Sequence, residues 1–214
     1  FLSLNRGKKS ILLDLKKKED KKIFEKILSN SDVLMENYRP DTLKSLGYSW
    51  LRLKKNYPKL IYAKISGFGE NGPMSKLPAY DVIVQAMSGI MSITGSSKDS
   101  FSRVGTSIGD IAAGLFCSIG IISALFNRQS SKFGTKIDIS MLDCQIAILE
   151  NAIARYSVSN ENPIPLGTDH PSISPFGAFN TLDEKIVLAA GNDKIFKKLC
   201  FLLSRKDLYN NELF

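Results

Sequence analysis

Arg103–Arg128, RVGTSIGDIAAGLFCSIGIISALFNR, is the longest apolar stretch in the chain. Ile108 to Phe126 is too long for a strand, is crowded with Ala, Ile and Leu, and ends in the charged, Ser/Gly-rich loop Ser130–Gly134, so it predicts a helix. Being apolar nearly all round, it is expected to be buried on most sides. Ala112, Ala113, Gly114, Ser118, Gly120 and Ser123 let other backbone come close. The length also approaches that of a membrane span, but Asp110, Ser118, Gly120 and Ser123 dilute the run and no aromatic belt flanks it; no membrane partner is expected. Asp110 stands at the entrance, behind Gly105, Thr106, Ser107 and Gly109. It has two readings. One is an N-cap, the commoner role for Asp beside a helix start. The other is a nucleophilic carboxylate, kept ionised by helix-end N–H groups and approachable across flexible glycines. Composition does not choose between them.

Outward from this stretch, short apolar runs alternate with helical patterns. Lys9–Leu15 reads as a strand, Lys18–Ser29 as a helix, Val33–Met35 as a second strand. Two short helices, Asp41–Leu46 and Ser49–Asn56, are split by Gly47 as a C-terminal cap. Leu60–Ser66 is a third strand, Tyr80–Ile93 a helix notched at Ser88-Gly89, Lys136–Ile139 a strand, and Ser140–Ser157 one long helix. This alternation means βαβ units and a parallel sheet, with ligands gathering in the loops beyond the strand C-termini, here Glu36–Pro40 and Gly67–Pro73. Taken alone, Gly67–Pro73 is a flexible turn. After the Pro- and Asn-rich Asn160–Leu166, the pattern strand, strand, helix (Pro175–Asn180, Ile186–Ala190, Asp193–Leu203) begins a second unit. The expected class is α/β: a Rossmann-like parallel-sheet large domain, incomplete, over 1–158, a linker over 159–168, and the start of a smaller α+β domain over 169–214.

At 214 residues, 43% hydrophobic and 23% charged, the composition is that of an ordinary globular chain. The net charge of +8 admits polyanions or anionic small substrates as partners. Several lysines, such as Lys16–Lys18 and Lys21–Lys22, have the spacing of a solvated helix face, and no nucleic-acid module is recognisable, so no nucleic-acid partner is expected. Cys117, Cys144 and Cys200 are odd in number and far apart; they read as reduced core residues of an intracellular protein, without a disulfide framework or metal site. His170 is the only histidine. The chain opens on Phe1 rather than Met and reads as a piece of a longer protein, expected to be weakly stable and inactive alone. A cytoplasmic location is expected, with a mitochondrial one the alternative for a eukaryotic source.

Six segments, in order, carry a family likeness: NRGKKSILLDLK (Asn5–Lys16), DVLMENYRP (Asp32–Pro40), ISGFGENGP (Ile65–Pro73), AYDVIVQAMSG (Ala79–Gly89), GDIAAGL (Gly109–Leu115) and HPSISPFGAF (His170–Phe179). With these the chain resembles the family III CoA-transferases, relatives of formyl-CoA and carnitine CoA-transferases. The resemblance implies that Asp110 is the nucleophile, forming an aspartyl anhydride and then an aspartyl-CoA thioester. It implies CoA contacts at Leu13, Lys16, Asn37, Tyr38 and Arg39, an acyl-pocket place for Tyr80, no permanently bound cofactor, a CoA thioester and a carboxylic acid as substrates, and an interlocked homodimer. Basic residues that relatives carry near Ser45 and Pro78 are absent here, which leaves Lys44 and Lys76 as substitutes. The sister activity, 2-methylacyl-CoA racemisation, needs a histidine where this chain has Tyr80, whose ordinary pKa makes it a poor base near neutrality. The segment at His170 is similar to that of transferases acting on succinyl-CoA and dicarboxylates, although a structural loop histidine is the plainer reading. A non-catalytic polyanion-binding protein is the alternative of another class.

Overall fold

The structure, a computed structural model, describes residues 2–211. In chain order its elements are α1 (Lys18–Ser29), β1 (Val33–Glu36), α2 (Thr42–Ser45), α3 (Trp50–Asn56), β2 (Ile61–Ser66), α4 (Asp81–Ser88), a 3-10 turn (Met91–Ile93), β3 (Gly95–Ser97), β4 (Ser100–Phe101), α5 (Ile108–Ser131), β5 (Lys136–Ser140), α6 (Met141–Ile148), α7 (Glu150–Ser159), β6 (Phe176–Asn180), β7 (Lys185–Ala189), α8 (Asp193–Leu202) and α9 (Lys206–Tyr209). The chain is α/β. Its residues group into two compact units: one runs to Val84 and resumes over Ser107–Ile148, the other joins Gln85–Thr106 to the residues from Leu149 on.

The first unit is built on a parallel sheet in the order β1–β2–β5, with Val33 opposite Ile61 and Tyr62 opposite Lys136. The central strand is buried, as a parallel strand covered on both faces must be. Alternate residues of β2 feed different cores. Tyr62 joins Leu28, Leu43, Tyr48 and Leu53 from α1 to α3. Ile65 packs with Val84, Ala112, Ala113, Met141 and Cys144 from α4 to α6. Gly47, at φ +98°, closes α2 with the paired bonds Gly47 N–H to Lys44 O and Tyr48 N–H to Leu43 O, the arrangement a left-handed glycine permits. Gly134 lies so close to β2's lead-in that a Cβ there would fall 2.0 Å from Leu60 O.

Three expectations change. Lys9–Leu15 is not a strand: it forms no ladder with any described strand, and Ile11 and Leu12 are exposed. A short apolar run becomes a strand only when a partner takes its N–H and C=O groups. The α5 helix is present over 24 residues, but it is not buried on most sides. Its small residues Gly109, Ala112, Ala113, Cys117 and Ala124 are the buried ones, because small side chains let the helix approach the sheet; Gly120 sits against Ile137, where a Cβ would come within 3.1 Å. Its bulky residues lie exposed, Leu115 at 61%, Ile119 at 60%, Ile122 at 66% and Phe126 at 75%. By length and composition this is a helix that could cross a membrane. The long helix expected over Ser140–Ser157 is two helices, separated at Leu149, whose ψ of 15° leaves the helical ladder. No Pro or Gly marks the break, so the apolar pattern runs through it.

In the second unit β6 and β7 form an antiparallel hairpin, Phe176 opposite Ala189 and Asn180 opposite Lys185. Asn192 caps α8 by accepting the Ile195 N–H at 3.0 Å. All three cysteines are buried and free.

Candidate active site

The first unit's parallel strands run toward one edge of the sheet, where β1 ends at Glu36 and β2 at Ser66. The polar loop after β1 is fastened to β2: Asn37 donates from Nδ2 to the Ile65 carbonyl at 3.0 Å. It is also anchored from below. Glu36, 6% exposed, accepts the Tyr38 N–H at 2.7 Å on one oxygen and the Tyr62 hydroxyl at 2.9 Å on the other. The segment before α4 approaches the end of β2 through Gly67, where a Cβ would lie 2.5 Å from that of Ala79. A cavity of about 790 Å³ opens here, walled by Asn37–Arg39, Ser66, Tyr80, Asp81, Asp110 and the first residue of α6, Met141. That size suits a small organic ligand.

Asp110 is not the cap of its helix. Ser107 occupies the N-cap position, and Asp110 is the third residue of α5. The N–H of Gly109, which has no acceptor within the first turn of its own helix, is instead met from another helix, by Asp81 Oδ1 at 2.8 Å. Gly109 is a tight fit there: a Cβ would fall 2.4 Å from Gln145 Nε2 and 3.0 Å from both Asp81 Oδ1 and Val84 Cγ2. Burial, and then the Asp81 carboxylate nearby, hold the Asp110 carboxyl above the ordinary aspartate range. This is opposite to the expectation that helix-end N–H groups keep it readily ionised: the surroundings make it a more basic carboxylate and thus a stronger nucleophile once ionised.

Five of the expected site residues therefore share one cavity: Asn37, Tyr38, Arg39, Tyr80 and Asp110. Tyr80 is 80% exposed, so it is not a core aromatic. Leu13 and Lys16 lie in the irregular segment before α1, outside this cavity's lining. Lys44 and Lys76 converge on Asp41, at 3.7 and 2.5 Å, beside a second cavity of about 300 Å³ that also reaches Trp50 and Tyr62. The Gly67–Pro73 loop is tied down rather than loose: Glu70 pairs with Lys64 at 3.2 Å and with Lys136, and its N–H donates to Asp138 Oδ2 at 2.9 Å. His170 is engaged within its own loop, its Nδ1 accepting the Ser172 N–H at 3.2 Å and its ring 5.1 Å from Phe176. Asp81 is the site residue that sequence reading did not single out. Its signals are its place in the AYDVIVQAMSG segment, where Tyr80 drew the attention, and its position opening a helix, which is indistinguishable from ordinary capping.

The family model for CoA-transferase family III matches residues 1–214. The acetyl-CoA:oxalate CoA-transferase of Acetobacter aceti is 43% identical over 215 residues, covering 100% of this chain and 55% of that protein. The succinate–glutarate CoA-transferase of Agrobacterium fabrum is 40% identical over 203 residues, covering 95% of this chain and 51% of its own length. Among solved structures, a CaiB/BaiF family protein from Brucella suis superposes with a TM-score of 0.85 at 35% identity, over 98% of this chain and 56% of that one. The chain spans about half the length of the curated relatives it matches.

Proposed function

Because this chain belongs to CoA-transferase family III, we propose that the protein of which it forms the described part moves CoA from an acyl-CoA donor to a carboxylic acid, with Asp110 as nucleophile. The observation that carries the reading is the place of Asp110: the first turn of α5, in the cavity beyond the C-terminal ends of a parallel sheet. The Asp110 carboxylate attacks the thioester carbonyl; the C–S bond breaks, leaving an aspartyl–acyl anhydride and CoA thiolate. The thiolate attacks the aspartyl carbonyl of the anhydride, releasing the donor's carboxylate and forming an aspartyl-CoA thioester. The acceptor carboxylate then displaces the thiolate to give a second anhydride. CoA attacks its acyl carbonyl, which yields the new acyl-CoA and regenerates Asp110. One exchange is thereby divided into steps that each trade an activated acyl group for another.

Asn37, Tyr38 and Arg39 would hold CoA along the β1 loop, and Tyr80 would line the acyl pocket. Lys44 and Lys76, already gathered at Asp41, would supply phosphate contacts as point charges. Two relatives are named for transfer to or between oxalate, succinate and glutarate, which supports a dicarboxylic acid as donor or acceptor. The exposed apolar stripe of α5 suits burial against further protein surface, as a homodimer would provide.

The test is to incubate the full-length protein with succinyl-CoA and a panel of carboxylic acids, with Asp110→Asn alongside, and to read new acyl-CoA by mass spectrometry. A new thioester from the parent that the variant does not form is the expected result, with a loss of about a thousandfold or more. A variant as active as the parent removes Asp110 from the mechanism. Exchange of an α-proton of a 2-methylacyl-CoA with solvent deuterium would instead favour the racemase reading.

A further inference from the structure

The Asp110 turn is held by an arm from outside its own helix, and this arm points to a second acidic residue with a role in the reaction. Asp81 opens α4 and reaches Gly109, the residue immediately before Asp110, with a 2.8 Å hydrogen bond from the Gly109 N–H to Oδ1. Gln145, fully buried in α6, also closes on Gly109, its Nε2 2.4 Å from where a Cβ would stand. The absent side chain at Gly109 is what allows both neighbours to come this close; a Cβ would collide with Gln145 Nε2 at 2.4 Å and crowd Asp81 Oδ1 at 3.0 Å. The first turn of α5 is thus met by side chains of both α4 and α6 one residue from Asp110, which lines the cavity.

We propose that Asp81 is a positioning residue for the transfer reaction: by holding the Gly109 amide it fixes the first turn of α5 and with it the direction of the Asp110 carboxylate, and it lines the same cavity as that carboxylate. The proposal rests on Asp110 being the nucleophile. A backbone clamp alone could be made by a neutral acceptor, such as the Ser and Asn side chains that cap helices elsewhere in this chain, at Ser49 and Asn192. A carboxylate here adds repulsion toward a second carboxylate in the same cavity, which a neutral acceptor would not. The other titratable or charged groups facing the cavity with Asp110 are Tyr38 and Arg39 from the β1 loop and Tyr80 from the lead-in to α4; α5 and α6 contribute the apolar Ala113 and Met141. Asp81 is the one other acidic residue in that lining. The upward displacement of the Asp110 carboxyl, from burial and then from Asp81, agrees with this geometry.

The experiment uses the full-length protein with two probe pairs, acetyl-CoA with oxalate and succinyl-CoA with glutarate, and the variants Asp81→Asn, Asp81→Glu and Asp110→Asn. Asp81→Asn keeps an acceptor and removes the charge. It is expected to lower kcat about tenfold or more with little change in KM for the acyl-CoA. The acid limb of its kcat profile should move to lower pH, because Asp110 then ionises more easily. Asp81→Glu keeps the charge on a longer arm; its kcat should fall while the acid limb stays in place. A purely structural role for Asp81 would change rate or stability without moving the limb. Carbodiimide labelling of Asp110, followed by peptide mass spectrometry against pH, reports the same titration without turnover. If Asp110→Asn is inactive but Asp81→Asn keeps the parental kcat and acid limb, or Asp81→Glu keeps parental kcat, the proposal for Asp81 is overturned and the nucleophile stands. If Asp110→Asn turns over like the parent, the nucleophile assignment itself falls, and this proposal with it.

Discussion

At Asp110 the capping position and the position proposed for the nucleophile are three residues apart in one helix. A cap has to precede the first turn; Asp110 lies inside it, and its neighbour's N–H is met by Asp81 instead. Its surroundings carry a stability cost of definite sign. Its carboxyl is harder to ionise in the folded chain than in the unfolded one. The native state therefore holds the proton more tightly, and stability falls as pH rises from the ordinary aspartate value through the raised one, then stays lower above it. Asp110→Asn should accordingly melt higher than the parent at pH 7 and equally near about pH 3, where both forms are neutral. A scanning fluorimetry series showing no gain at pH 7 would contradict this. Glu36 tests the site's floor. Tyr62→Phe removes the donor to a buried carboxylate oxygen and should cost about 1–3 kcal/mol in urea unfolding; a change under about 0.5 kcal/mol would mean the oxygen had found another partner. Asp110 as a candidate was legible through the surrounding GDIAAGL motif. The role of Asp81 was not, because its partner is 28 residues away and no local pattern records that meeting.

Among the elements, the sheet depends on one close approach and one set of ion pairs. Gly134 brings the lead-in of β5 against the Leu60 carbonyl. Gly134→Ala should destabilise the chain by about 1–3 kcal/mol, since the obstacle is backbone and cannot rotate away; parental urea stability in that variant would show that the β5 lead-in can shift. Glu70 then joins β2 to β5 through Lys64 and Lys136. Burial alone would raise the Glu70 carboxyl, but the hydrogen bonds from Lys136 and Lys64 outweigh it and hold it below the ordinary glutamate range. Its contribution is present above the ordinary value and is lost as pH falls through the lowered one. Glu70→Gln should thus cost on the order of 1–3 kcal/mol at neutral pH, and the gap from the parent should narrow in acid; a gap that is constant from neutral pH to about pH 3 would show that the ion pairs contribute nothing. The boundaries of α1, β1, β2 and β5 follow closely from periodicity, because each has a local apolar pattern and a turn at its end. Two readings failed where the deciding fact is non-local: Lys9–Leu15 has a strand's composition but no described partner, and the helix break at Leu149 has no residue that marks it.

For the whole molecule, the apolar stripe of α5 is the largest departure from the sequence reading. Leu115, Ile119, Ile122 and Phe126 face outward in a chain about half as long as its curated relatives. The 214-residue chain on its own should therefore bind an apolar dye and self-associate at micromolar concentration. Sedimentation as a dye-silent monomer would show that this stripe is covered within the chain. The charge of +8 should give weak DNA binding that vanishes with salt; salt-resistant, CoA-insensitive binding would favour the polyanion reading. What the sequence determined by itself was the α/β class, most strand and helix positions, and the family, because each is written in local periodicity and contiguous motifs. What only the tertiary structure decided was which face of α5 is buried, which residues of five separate segments meet in one cavity, and that Asp81 stands beside the Asp110 turn. Those depend on contacts between residues far apart in the chain, and packing, rather than the order of residues along any one segment, selects them.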